Sequence, residues 1–453
     1  MSLANRAVAS FCLVALFAAF APCLDAEPVA IARRISAESS PSQFLAVETS
    51  FATTSQQQAY ALPPEKLAKA IALSRIRSIL GVVSTLWGIL VLWLLLASGA
   101  ATWLEAWMRR ISDSPAVHGL LYFTTIIILL TMAGLPISCY GHHVGLSFGI
   151  SVQGWGPWLA DQGKTLVLSL FLSAPLMLLM HWIMRRSPRR YWIWAWLLSL
   201  PIMVFGVFIE PLSERLFYDF EPLAKSNPAL VSELEKVVAR TGTSIPPERM
   251  FLMKASVKTN GLNAYVNGLG ATRRIVVWDT TVGRIPDDEI LYIFAHESGH
   301  YVLNHILQGM VAGAVGFLVM LWACAGVAGW LVRRFGAQLK VDDVTSLAGF
   351  VVLLLTLAVA SFVTDPVTNA FSRHIEHEAD VYGQEAVHGI VADPQKTAVA
   401  SFKALGEAWL EDPNPNPIIE FWEYSHPSVK NRANFAAHYD PWANQGHGKF
   451  FDK

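Results

Sequence analysis

The chain has 453 residues, of which 53% are hydrophobic and only 15% charged, and its mean hydropathy of +0.39 is far above that of an average soluble domain. Formal net charge is −1 and no sustained Lys/Arg tract is present, which argues against nucleic acid as a partner. The four cysteines, Cys12, Cys23, Cys139 and Cys324, form no C-x-x-C pair, so neither a disulfide framework nor a zinc knuckle is indicated.

At the N-terminus, "AVASFCLVALFAAFAPCL" follows Arg6 and has two readings. It is a signal peptide over 1–26 with Ala19-Phe20-Ala21 as an A-x-A cleavage site, or an uncleaved N-terminal membrane anchor. Residues 27–77 read as a linker and juxtamembrane helix, the first part rich in Ser, Ala, Gln and Thr. A bilayer core about 30 Å thick needs about 20 apolar residues of helix. Runs near 78–98, 119–138, 166–184 and 191–211 meet that length and give four transmembrane helices over 78–211.

The polar stretch 212–305 follows. "PALVSELEKVVART" carries Leu230, Leu234 and Val237/Val238 on one helical face. "MFLMKAS", "NAYVNGLG" and "RRIVVWDTTV" read as short strands between Asn/Gly turns. "PDDEILYIFAHESGHYVLNH" opens with Pro and acids, as helices do. Two further apolar runs, near 306–332 and 344–364, form a transmembrane hairpin over 306–364, and a second polar part occupies 365–453. The expected fold is a mainly α membrane protein with six to seven transmembrane helices. A polar domain containing a small β-sheet is expected from the two polar parts, and any aqueous chemistry must be built from them.

Residues i and i+4 share a helix face, so His296 and His300 can present ring nitrogens to one ion, with Glu297 beside it in an H-E-x-x-H pattern. Catalytic zinc takes three protein ligands and leaves a fourth position to water. Position 306 is isoleucine, and His305 does not fit the spacing of a third histidine. The supplier is then "SRHIEHEADVYG", 372–383, where Glu376 and Asp380 stand one turn apart, one to ligate and the other to hold a histidine N–H. A membrane hairpin returns the chain to the side it left, so both halves of the site fall on one face. His374 and His377 read as polar surface residues, and His142, His143 and His181 as core or interfacial ones.

"HESGH" at 296–300, "EHEAD" at 376–380 and "HPSVKNR" at 426–432, with "NAYVNGLGATRRIVVWDT" and "EPLSERLFYDFEPL" before them, resemble the integral-membrane zinc endopeptidases of the type I CAAX prenyl protease family. The resemblance runs from about residue 60 to 435. It implies a gluzincin-like site with one Zn2+ per chain, His296, His300 and Glu376 as metal ligands, Glu297 as general base and Asp380 behind a ligand. It further implies that the membrane helices enclose a water-filled chamber. Asn263 and Ala264 would offer a strand edge to an extended substrate. His426 and Arg432 would support the site or stabilise the oxyanion, although a structural-turn role fits them as well.

The expected activity is peptide hydrolysis by a zinc-activated water. Its substrate is a CAAX-type prenylated peptide or a membrane-associated protein or peptide. A metal-binding membrane scaffold or transporter and an inactive pseudoprotease are the alternatives. Arginines at 109/110, 185/186/189/190 and 333/334 occupy alternate loops. By the positive-inside rule these loops are cytoplasmic, which puts the zinc site on the extracytoplasmic face of a bacterial inner membrane. Lys66, Lys69, Arg75 and Arg77 before the first span argue for the cytoplasmic alternative. Oligomeric state is left open by the sequence.

Overall fold

A computed structural model describes residues 59–443 and 446–452, so the expected signal peptide or anchor and nearly all of the linker lie outside the described residues. Among the described residues six helices are long and apolar enough to cross a membrane, and most outrun the apolar runs that announce them. Helix α1 (Pro64–Ala97) absorbs the juxtamembrane helix and the first span in one piece. A 12-residue α2 (Ala100–Ile111) has no counterpart among the expected spans. It is too short to cross, and its Glu105 caps the bundle by accepting from the Ala348 N–H at 3.0 Å. Helices α3 (Pro115–Ser147), α4 (Trp155–Arg186) and α5 (Tyr191–Ser213) follow. Each carries an internal proline (Pro136, Pro175, and Pro201 with Pro211), which packed membrane helices tolerate.

The first polar part forms β1 (Phe220–Pro222), the one-turn α6 (Leu223–Ser226), α7 (Pro228–Thr241), β2 (Met250–Met253), β3 (Ala264–Asn267) and β4 (Arg274–Trp278). Three strands fall where the turn signals put them; β1 is an addition. The sheet is mixed, in the order β1-β2-β4-β3, with β2 and β4 parallel and both outer pairs antiparallel. On α7, Leu230, Leu234 and Val237 are buried as the periodicity requires.

Helix α8 (Asp287–Val302) opens behind Pro286 with Asp287, Asp288 and Glu289 in its first turn, where acids complement the positive helix end. It does not run on into the membrane. Leu303 closes it and Asn304 takes a left-handed conformation (φ 57°). The next membrane helix, α9 (His305–Leu339), therefore starts afresh. Helix α10 (Leu347–Ala386) behaves in the opposite way. It is one 40-residue rod that carries the last span and the "EHEAD" motif without a break. Helices α11 (Pro394–Ala408), α12 (Pro417–Glu423) and α13 (Val429–His438) complete the fold.

One apolar core unites Leu73 of α1, Val144 of α3, Leu234 of α7, Ile275 of β4, Phe294 of α8, Phe402 of α11 and Ala433 of α13. The two polar parts are therefore one folded body. Two of the four basic residues ahead of the first span are tied to it: Lys66 pairs with Glu407 at 2.9 Å and Arg77 donates to the Trp409 carbonyl at 3.1 Å. At the other end of the bundle Lys340 donates to the Ser98 carbonyl, and His181 lies 3.0 Å from the Thr345 carbonyl. The arginine loops are at that end. Of the other histidines set apart in the sequence, His142 is buried between Trp155 and Trp158, and His374 and His377 are exposed.

Candidate metal centre

The centre forms where α8 crosses α10. Two glycines allow the approach: a Cβ on Gly383 would lie 2.9 Å from the His296 backbone nitrogen, and one on Gly299 2.9 Å from the Tyr382 ring. His296 and His300, one turn apart on α8, then face Glu376 on α10. The three offer one ligand atom each within 4.8 Å of one another, and all three residues are buried. The two Nε2 atoms are 3.2 Å apart. Glu376 Oε2 lies 3.3 Å from His296 Nε2, and Glu376 Oε1 lies 3.6 Å from His300 Nε2.

These spacings suit a cation. Bonds of about 2.0–2.2 Å in a tetrahedron put ligand atoms about 3.3–3.6 Å apart. Electrostatics agree for the metal-free protein. Burial opposes protonation of His296, but hydrogen bonds to Asp380 and Glu376 outweigh it and raise the ring to about 9. Burial lowers His300 to about 3. Of two touching rings, one keeps a proton and the other refuses it. One carboxylate and two imidazoles within reach of a single point make a donor set that fits zinc.

Around this triad stand Glu297, Asp380, Arg432 and His426. Glu297 is buried beside His296; burial pushes its carboxyl up to about 7, with the His296 charge opposing and that of Glu376 assisting. Asp380 Oδ1 lies 2.9 Å from His296 Nδ1, and Arg432 of α13 grips Asp380 through two bonds, Nε to Oδ2 at 2.9 Å and Nη2 to Oδ1 at 2.5 Å. Its guanidinium is thus committed to Asp380, 4.0 Å from Glu376. His426 Nε2 is 3.1 Å from Glu376 Oε2, and burial lowers its pKa to about 4.

Asn263 and Ala264 sit apart, on the outer strand of the sheet. The Asn263 N–H donates to Thr281 Oγ1 (2.9 Å), and its carbonyl accepts from the Trp278 N–H (3.1 Å) and the Thr281 hydroxyl (2.8 Å). Its backbone is therefore engaged within the fold. In an antiparallel ladder the next residue points its N–H and C=O the other way, so Ala264 holds the outer edge, although it is only 2% exposed.

His305, set aside on spacing, is at the centre after all: its Nδ1 lies 3.1 Å from His300 Nδ1. In a continuous helix a residue five positions on points about 140° away. The left-handed Asn304 between α8 and α9 is what turns it back, and no spacing rule carries that signal.

The family model for peptidase family M48 matches residues 224–440, and that for the CAAX prenyl protease N-terminal region, five membrane helices, matches 46–217. Over 380 residues the chain is 30% identical to the uncharacterized metalloprotease YhfN of Bacillus subtilis, covering 83% of this chain and 86% of the relative. It is 26% identical over 339 residues to CAAX prenyl protease 1 of Saccharomyces cerevisiae, covering 70% and 72% of the two chains. The crystal structure of S. mikatae Ste24p has the same fold, with a TM-score of 0.71 at 19% identity over 96% of this chain and 99% of that one. Site geometry, six apolar helices and these matches agree: the chain belongs to the type I CAAX prenyl protease family within peptidase family M48, and is a multi-pass membrane metalloprotease.

Proposed function

We propose that the protein is a zinc endopeptidase whose ligands are His296, His300 and Glu376 and whose general base is Glu297. The observation that carries this reading is the buried triad with ligand atoms 3.2, 3.3 and 3.6 Å apart, with a carboxylate adjoining it. Bound zinc would supply Lewis acidity, acidifying a water and polarising the scissile carbonyl. Glu297 takes the proton of the attacking water and delivers it to the leaving amine. Asp380 accepts from His296 Nδ1–H and fixes that ring, and Arg432 fixes Asp380. His426, with Nε2 beside the Glu376 carboxylate and Nδ1 beside the Ser425 hydroxyl, supports Glu376 at the edge of the site.

An extended peptide would pair with the outer edge of β3 at Ala264, with Asn263 at the strand's entry. The six long helices are the wall of the chamber implied by the resemblance, through which a peptide attached to or lying in the bilayer reaches the metal. CAAX-type prenylated peptides are one substrate class, because relatives carry the name CAAX prenyl protease 1; membrane-associated proteins and peptides are the other. Division of the chain as 78–211 membrane helices, 212–305 and 365–453 protease, and 306–364 hairpin follows the same logic.

The metal end faces away from the cytoplasm of a bacterial inner membrane. Eight arginines stand in the loops and helix ends opposite the site, and of Lys66, Lys69, Arg75 and Arg77, which argue the other way in sequence, Lys66 and Arg77 are held by Glu407 and Trp409 of the protease body.

The test is zinc content and cleavage of unmodified and prenylated peptide libraries by purified wild type and Glu297→Gln. One zinc per chain in both, with cleavage by wild type only, is expected. Cleavage by Glu297→Gln at the wild-type rate removes the base assignment.

A further inference from the structure

We propose that His305 positions the ligand His300, and that the C-terminal segment 446–452 holds His305 in place through Lys449 and Glu378, so that this tail is a working part of the metal centre. The inference rests on the ligand set proposed above.

His300 reaches the metal position through Nε2. A neutral imidazole that gives one nitrogen to a metal keeps its proton on the other, so His300 Nδ1 is a donor. The atom facing it, at 3.1 Å, is His305 Nδ1, which must then accept. His305 therefore carries its own proton on Nε2, and this nitrogen lies 3.4 Å from Glu378 Oε2. The other oxygen of Glu378 accepts from Lys449 Nζ at 2.8 Å. The proton placement at His300 fixes that at His305, and Glu378, which faces His305 Nε2 and accepts from Lys449, links this end to the tail. His296 has its counterpart in Asp380 and Arg432, and among the described residues His305 is the group that faces Nδ1 of the second ring.

Lys449 is placed by an unusual anchor. Glu385, fully buried on α10, accepts the N–H groups of three consecutive residues, Lys449 (2.7 Å), Phe450 (2.7 Å) and Phe451 (3.0 Å), and also the Tyr439 hydroxyl. A buried carboxylate with four donors is satisfied; stripped of the three from the tail it would be a costly buried charge. Phe450 and Phe451 pack on Tyr382, the residue after which Gly383 makes its close approach to His296. The match to the M48 family model ends at residue 440, so the tail is outside what the family match covers.

The experiment uses full-length protein in detergent, freed of metal. Zn2+ affinity is read by chelator competition, and Co2+ is added separately for its absorption bands. Loss of the His305 partner should weaken Zn2+ binding by about 10- to 100-fold, as removal of such partners does, and shift the Co2+ bands in His305→Leu. His305→Asn keeps an acceptor oxygen near the Nδ1 position and should restore affinity and bands. Lys449→Met and Glu378→Gln should weaken binding to a smaller degree.

Wild-type affinity and spectrum in His305→Leu would overturn the role of His305. So would equal weakening by Leu and Asn with unchanged bands, which marks a packing effect only. If His305→Leu does not fold, Glu378→Gln decides, and unchanged affinity there counts against the proposal. Unchanged affinity in Lys449→Met removes the tail from it. Should wild type bind no Zn2+, or His300→Ala bind it as tightly as wild type, the ligand set itself is wrong, a result separate from all of these.

Discussion

Substituting Gly383 by alanine tests whether the crossing of α8 and α10 sets the metal geometry. The added Cβ would stand 2.9 Å from the His296 nitrogen, 3.0 Å from its Cα and 3.1 Å from its Cβ. Carbon contacts settle at about 3.5–4.0 Å, so α10 must retreat from α8 by roughly 0.5–1 Å. Main-chain atoms of a buried helix cannot swing aside, and overpacking of this kind costs about 1–3 kcal/mol. Asp380 and Glu376 ride on the same rigid helix, one and two turns before Gly383, and move with it. Sites of this type work within about 0.5 Å of their geometry, and a 1 Å misplacement can cost about 100-fold in rate. The expected result is a fall in kcat/KM of about 10- to 100-fold, or about 1.4–2.8 kcal/mol, with weaker zinc binding. Gly309→Ala on α9, where an added Cβ meets nothing within 4 Å, is the neutral control. Peptide cleavage and chelator competition on monodisperse protein are the assays. A Gly383→Ala enzyme within about twofold of wild type in both would refute the argument that close helix approach builds the site.

Glu297→Gln should lower kcat by about 100- to 10,000-fold while zinc content by atomic absorption stays at one per chain. Asp380→Asn removes the acceptor that orients His296, and a loss of zinc affinity of about 10- to 100-fold is expected by chelator titration; unchanged affinity would put Asp380 outside the centre. A base must be ionised to act, and burial first of all raises Glu297 from 4.5 to about 7 in the metal-free protein. Bound cation draws it back down, so kcat/KM should rise with pH between these two values, and a profile flat down to pH 4.5 would rule this base out. Arg274→Met strands the buried Glu214, whose carboxylate it meets at 2.5 Å with both side chains under 10% exposed. About 3–5 kcal/mol of stability should be lost, read as a drop in Tm, whereas the Glu214→Leu, Arg274→Met pair should recover most of it.

What the sequence by itself determined is whatever rests on local periodicity. Apolar runs long enough for a bilayer announce six helices, and H-E-x-x-H puts two imidazoles on one face whatever surrounds it. The "EHEAD" acids recur at one-turn spacing, and the hairpin between the motifs returns Glu376 to the side of His296. Helix ends were less legible, because an amphipathic extension such as Pro64–Arg77 or 365–386 carries no continuous apolar run of bilayer length, and its apolar residues, Ala70 and Leu73 or Ile375 and Ala379, are buried in the fold. Only the tertiary structure decided that Asn304 breaks the motif helix and turns His305 onto His300, since one residue's left-handed conformation is set by its surroundings. It alone closed Arg432 on Asp380 and brought three tail amides to Glu385. Groups far apart in the chain meet there because two glycines let helices touch, and touching is a property of the pair that neither helix's sequence contains.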